Sequence, residues 1–172
     1  MKNREIQFPP IKFEELVSTY KERLYWHIRR MVISHQDADD VLQNTFIKIY
    51  KNLHNFKGES SIYTWLYRIA TNESLTFINK RAKTLKISNE SLKDTLVTNL
   101  RSDPYFDGDA AQLKLQEAIA TLPPKQKQVF IMKYYDELQY NEMATILETS
   151  EGALKASYHH AVRKITEYVT EN

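Results

Sequence analysis

Apolar side chains recur at three- and four-residue steps along most of this chain, and that spacing commits it to α-helix. From Phe13, the residues Leu16, Val17, Tyr20, Leu24 and Ile28 fall on one face of a 3.6-residue turn. Val41, Leu42, Thr45, Phe46, Ile49, Tyr50 and Leu53 form a second stripe, and Trp65, Leu66, Ile69, Ala70, Leu75 and Ile78 a third. Leu113, Ala118, Ile119 and Leu122 resume the pattern later. With three glycines and five prolines in 172 residues, there is little material for the tight turns of an all-β protein. The expected fold is all-α.

The breaks between stripes divide the chain. Ser34 to Asp37 interrupts the first helix, and Asp37 is the expected N-cap of the second. Asn55 to Ser61, with Gly58 inside it, reads as a loop, after which a third helix runs from near Ser61 to about Lys80. These helices make a first domain, 1–81. Residues 82–109 lose the periodicity, gain Ser, Asn, Asp, Thr and Pro104, and are expected to form an extended acidic linker. A second domain, 110–172, follows. Pro123-Pro124 ends one helix and starts the next, because proline fits a first turn and not an interior. Two helices close the chain, Tyr140 to Leu147 and Ser150 to about Val169, and the turn of about three residues between them has helix-turn-helix length.

Net charge is +2, but it is unevenly spread. Residues 1–85 hold 14 basic against 9 acidic side chains, 86–111 hold 3 against 5, and 112–172 hold 7 against 8. The positive charge belongs to the N-terminal half, where a polyanion would be met.

Several chemistries are excluded. The chain has no cysteine, which removes disulfides, thiolate zinc sites and a cysteine nucleophile. His159 and His160 are adjacent, so they point about 100° apart on a helix and do not share a metal. Carboxylates are scattered, and no Ser-His-Asp set, glycine-rich phosphate loop or metal spacing stands out. No enzyme activity, cofactor, metal or small-molecule substrate is expected. Met1 to Pro10 lacks the apolar run of a signal peptide and no stretch is long enough to span a bilayer, so a cytoplasmic protein without membrane insertion is expected.

Three constellations carry function. In the last helix pair, Ala144 is the small residue that lets two helices cross closely and Leu154 the aliphatic anchor. Ser150 caps the final helix, whose exposed side offers Glu151, Lys155, Ser157, His159 and Arg163 to base edges and phosphates. Glu148 stands where such turns usually carry glycine, and an ordinary helical hairpin also fits the pattern. The second constellation is Phe56 to Asn72, where Trp65, Leu66 and Ile69 are core. Thr64, Arg68 and Asn72, spaced by four, share another face beside Tyr63 and Tyr67. Aromatic, cationic and amide groups beside a loop suit unstacked single-stranded bases, although a solvated face with some aromatic packing reads the same way. The third is the start of the second helix. Asp37, Asp39 and Asp40 suit the helix dipole, while Gln43 and Phe46, three apart, offer a polar and an apolar contact to a partner helix.

Together these segments resemble a known family. Asp37 to Phe46, Phe56 to Ser61 with Thr64 to Asn72, Leu122 to Gln126 and Leu138 to Lys164, in that order, look like the successive signatures of extracytoplasmic-function sigma factors. The resemblance implies an RNA polymerase subunit that directs the core enzyme to promoters. Asp40, Gln43 and Phe46 would dock on core polymerase. The loop and helix carrying Asn55, Phe56, Lys57, Ser60, Tyr63, Thr64, Arg68 and Asn72 would melt the minus-10 element and capture a flipped base, with Lys80 and Arg81 holding backbone. The helix from Ser150 would enter the major groove of the minus-35 element, and the acidic linker would thread polymerase channels. An anti-sigma factor is a further partner the resemblance implies. The chain departs from the pattern at Ser157, His160 and Val162, where family members often carry arginine. A stand-alone helix-turn-helix regulator remains the main rival, and it leaves the Phe56 to Asn72 cluster and the acidic linker unexplained.

Overall fold

The computed structural model describes residues 11–85, 89–104 and 108–171, the side chains at 85 and 89–93 excepted. Among the described residues there are eight α-helices, one 3-10 turn and no strand. In chain order they are α1 (Phe13–Val32), α2 (His35–Asn52), the 3-10 turn Leu53–Asn55, α3 (Ile62–Leu85), α4 (Asn89–Arg101), α5 (Ala110–Thr121), α6 (Pro124–Tyr134), α7 (Tyr140–Leu147) and α8 (Glu151–Glu171). The all-α expectation is met.

Local chemistry sets the helix ends. Ser34, not Asp37, caps α2: its backbone is extended (φ −80°, ψ 136°) and its Oγ accepts from Asp37 N–H at 3.3 Å. Asp37 lies inside the first turn, where its charge still favours the helix dipole. Ser61 holds the start of α3, its Oγ accepting from Thr64 N–H at 3.0 Å. Pro124 takes the first position of α6. Gln139 and Glu142 form a reciprocal capping box on α7, and Ser150 Oγ accepts from Ala153 N–H at 3.2 Å at the head of α8. Helix α3 continues past Lys80 to Leu85, since Lys80 to Thr84 contains neither glycine nor proline to stop it.

The interval 82–109 is not extended throughout. Helix α4 occupies 89–101 and packs on α5. Leu100 is buried with Ile33 and Ala120, and Leu96, Val97 and Leu113 pack against them. Leu96 and Leu100, four apart, form a stripe too short to stand out among the polar residues around it. Residues 1–10, 86–88, 105–107 and 172 of the three expected intervals lie outside the described residues.

Helices α1, α2 and α3 pack on one another around Leu24, Ile28, Val41, Ile49, Leu66 and Ala70. Helices α5 to α8 enclose Ile119, Val129, Ile131, Met132, Met143, Leu154 and Ala161. Each fully buried Val, Leu, Ile or Met among them contributes about 1.5–3 kcal/mol relative to exposure. The two groups merge into one apolar cluster, because α6 lies against α1 and α7 against α3.

Candidate nucleic-acid interface

An open apolar groove runs between α1 and α2. Gln43 and Phe46 line it with Phe13, Val17, Leu42, Ile47 and Tyr50. Phe13 meets Phe46 and Tyr50 edge-on, with ring centroids 6.2 and 5.2 Å apart. Ile47 is 48% exposed and Tyr50 67%, an apolar surface of the kind that helices bury against partners. Asp40 is exposed, but Asp39 lies along the groove in its place.

On α3 the expected face is only partly presented. Arg68 and Asn72 are exposed, as are Asn55, which ends the 3-10 turn, and Lys57 on the loop after it, with Ser60 half-buried. Thr64 is not on that face: it is buried, and its hydroxyl pairs with Ser61 Oγ at 2.9 Å. The first turn of α3 needs that contact, so the i to i+4 row starts one turn later than its spacing suggests. Tyr63 is half-buried, its ring 4.5 Å from that of buried Tyr67. Arg23 covers Tyr63, with the guanidinium 4.8 Å from the ring centre and an N–H donating to the hydroxyl at 3.0 Å. Burial pushes the Tyr63 and Tyr67 hydroxyls above the ordinary tyrosine range. Phe56 rests on Trp65, ring centres 5.4 Å apart. Lys80 is exposed, whereas Arg81 pairs with Asp37 at the start of α2.

On α8, Leu154, Ala161 and Ile165 face the core. Glu151, Lys155, His159 and Arg163, each four residues after the last, form an exposed row turned away from it. Lys155 Nζ also lies 5.5 Å from the Tyr140 ring centre, and Arg163 sits 3.7 Å from Glu167. Ser157 departs from the row. It is half-buried at the edge of the core stripe, because 157 lies three residues after Leu154 and four before Ala161, and not on the exposed i, i+4 row. Ser150 is spent on capping. Glu148, in the turn, adopts the left-handed conformation (φ 52°, ψ 47°) that glycine usually supplies.

The sequence reading missed the polar seam between the two helix groups. His27 of α1 is fully buried. Its Nδ1 lies 2.6 Å from Asp136 Oδ2 and its Nε2 2.9 Å from Thr71 Oγ1. Arg30 Nη1 stands 3.4 Å from the other oxygen of Asp136. Lys127 Nζ donates to the carbonyl of Met31 at 3.0 Å. The available signal was His27 itself, three residues after Leu24 and four before Met31 on the apolar stripe of α1, where a polar group requires a buried partner. Among the described residues, no group of three or more histidines, aspartates or glutamates is placed to hold a metal ion.

These elements are matched by known proteins. Residues 16–84 match the Sigma-70 region 2 family and residues 112–165 the Sigma-70 region 4 family. The ECF RNA polymerase sigma factor SigW of Bacillus subtilis is 32% identical, over 88% of this chain and 87% of its own length. The ECF RNA polymerase sigma-E factor of Haemophilus influenzae is 31% identical, over 87% of this chain and 82% of its own. The fold is that of RpoE from Bartonella quintana, solved in complex with the anti-sigma factor NepR, at a TM-score of 0.71 and 18% identity, with 92% of this chain and 96% of that one covered. With both sigma-70 regions present in order, and a relative of this similarity matched over most of both chains, the chain belongs to the extracytoplasmic-function sigma factors of RNA polymerase.

Proposed function

We propose that this sigma factor divides its work between its two domains, 1–81 and 110–172. The groove between α1 and α2 docks core polymerase through Gln43, Phe46, Ile47 and Tyr50, with Asp40 nearby on the surface. Helix α3 and the loop before it melt the minus-10 element, with Asn55, Lys57, Arg68 and Asn72 reaching the separated strand and Lys80 its backbone. Helix α8 reads the minus-35 element through the row Glu151, Lys155, His159 and Arg163. The observation that carries this reading is the exposure of that row on the helix following the turn, set opposite the buried anchor Leu154.

As a transcription initiation factor the chain selects promoters, and bond-making belongs to the polymerase. We infer that it works in the cytoplasm with the polymerase. No helix among the described residues is long and apolar enough to cross a membrane. An anti-sigma protein is a further partner, in keeping with the two solved sigma factors of this fold, RpoE with NepR and CnrH with the cytosolic domain of CnrY.

Run-off transcription by core polymerase over genomic fragments, with and without the chain, tests the whole reading. Discrete new transcripts are expected with it. A tight complex between the isolated chain and a palindromic duplex, without transcripts from core, favours a stand-alone regulator instead.

A further inference from the structure

Where α1 and α3 pack together, their side chains meet in register. Tyr20, Arg23 and His27 of α1 lie against Tyr63, Tyr67 and Thr71 of α3, because both rows advance by three- or four-residue steps. The ring centres of Tyr20 and Tyr63 are 6.1 Å apart, those of His27 and Tyr67 4.9 Å, and His27 Nε2 is 2.9 Å from Thr71 Oγ1. His27, Tyr67 and Thr71 are buried, whereas Arg23 is exposed at the rim. Val17 and Lys21 of the same helix line the groove offered to core polymerase, and Arg23 does not.

Arg23 also differs from the other arginines in what holds it. Among the described residues, Arg29, Arg30, Arg81, Arg101 and Arg163 each pair with a carboxylate, as does Arg68 with Glu148 in the turn before α8, while Arg23 has no ion pair. Tyr63 holds it instead: the guanidinium lies 4.8 Å from the ring centre, and one N–H donates to the hydroxyl at 3.0 Å. Tyr63 is in turn braced 4.5 Å from the ring of Tyr67. A guanidinium carries five N–H donors in a planar fork. The neutral phenol takes one of them and cancels none of the charge, so the rest of the fork remains for an anion. That fork matches two oxygens of a phosphate, and a side chain already restrained loses less rotamer freedom on binding.

We propose that Arg23 grips a backbone phosphate of the strand that α3 separates, with Tyr63 as the positioning residue that holds the guanidinium ready. The strand-binding surface then extends from α3 onto α1. This rests on the reading of α3 as the melting helix. The excess of basic side chains in residues 1–85 suits the same polyanion.

The test uses holoenzyme assembled from core polymerase and the full-length chain, titrated against a fluorescent premelted promoter bubble over a series of salt concentrations. Arg23→Gln, at an exposed position, should keep the melting temperature and the affinity for core. It should weaken bubble binding roughly tenfold at low salt, as loss of a charge-assisted hydrogen bond permits. It should also lessen the slope of log affinity against log salt by about 0.7, the value of one phosphate contact on a single strand. Arg23→Lys keeps the charge without the fork, so it should restore the slope and only part of the affinity. Tyr63→Phe keeps the ring and should cost less than Tyr63→Leu, and Tyr63→Leu should cost nothing further once Arg23→Gln is present. A salt slope unchanged by Arg23→Gln, or a loss of core affinity in that variant, overturns the phosphate contact. A full further loss from Tyr63→Leu in the Arg23→Gln background overturns the positioning role of Tyr63. Arg68→Ala separates these failures from failure of the α3 reading. If Arg68→Ala weakens bubble binding and Arg23→Gln does not, the Arg23 assignment alone falls; if neither does, the α3 reading falls with it.

Discussion

Lys127 in α6 reaches across the domain seam to donate to the backbone carbonyl of Met31 in α1, and burial pulls its ammonium down from the ordinary 10.5 to about 8. Among the described residues its hydrogen-bond acceptor is a neutral carbonyl, so the charged form is poorly compensated. The native protein therefore binds fewer protons than the unfolded chain between those two values, and stability rises as pH climbs from about 8. Below that, the full penalty stands, on the order of 3 kcal/mol. The rise ends near pH 10, because burial pushes Tyr63 and Tyr135 upward and the unfolded chain then loses phenolic protons first. Urea midpoints should increase between pH 8 and 9.5. Lys127→Met should flatten that slope and raise the midpoint at pH 7, as replacing a buried charge by an apolar side chain of similar length permits.

The groove between α1 and α2 gives a test that separates docking from folding. Ile47 is 48% exposed, so Ile47→Asp leaves the core of the domain intact. It should leave the melting temperature within a degree or two while lowering affinity for core polymerase at least about tenfold, the loss expected of an interface anchor. Phe46→Ala should lower affinity similarly and also cost some stability, since its half-buried ring packs on Phe13. Sedimentation or anisotropy with labelled chain reports affinity, and calorimetry reports folding. Unchanged core affinity in folded Ile47→Asp sinks the docking assignment.

Glu148 holds a left-handed backbone with φ 52°, which a side chain with a Cβ adopts at a cost of about 1 kcal/mol or more. Glu148→Gly should relieve that strain and raise thermal stability by about 1 kcal/mol, less a few tenths for the lost exposed pair with Arg68. Differential scanning calorimetry checks the sign. A lower midpoint would mean that the Arg68 contact outweighs the backbone.

The helices were legible because each carries its own amphipathic stripe, and the helix-turn-helix because Ala144, Ser150 and Leu154 fix a local geometry. What escaped the sequence was long-range. His27 on an apolar stripe signals that some buried partner exists, but nothing in the sequence identifies it as Asp136, 109 residues away, because their pairing at 2.6 Å depends on how two helix groups meet. The helix within the acidic interval escaped for a related reason: Leu96 and Leu100 stabilise it by packing on Ile33 and Ala120, not by a long stripe of their own. Thr64 was misplaced because spacing alone predicts a row of four-residue steps, while the cap contact with Ser61 turns its first member inward. Spacing placed Lys155 and His159 on an exposed row because Leu154 and Ala161, on either side of them in the chain, fix the rotation of α8.

That rotation supports the last test, which separates duplex reading from strand opening. Lys155→Ala and His159→Ala remove exposed groups from the row opposite the core of α8, so neither should alter folding. Each should weaken recruitment to promoters with an intact minus-35 element, by about 1–3 kcal/mol where a base contact is lost, and spare opening once the complex has formed. Arg68→Ala and Asn72→Ala remove exposed groups from α3 and should leave a closed complex that opens poorly, since a lost contact to an unstacked base costs about 1–3 kcal/mol. Permanganate reactivity of unpaired thymines reports opening on a duplex promoter, and a premelted bubble template supplies the opened strand in advance. The α3 variants should recover part of their transcription on the bubble, whereas the α8 variants should recover when the minus-35 contact is made unnecessary by raising the holoenzyme concentration. Arg68 lies on α3 and not in the groove between α1 and α2, so Arg68→Ala should bind core normally while failing to open the duplex. Normal opening by both α3 variants, or equal failure of the α8 variants on every template, means that melting and duplex reading are not divided between α3 and α8.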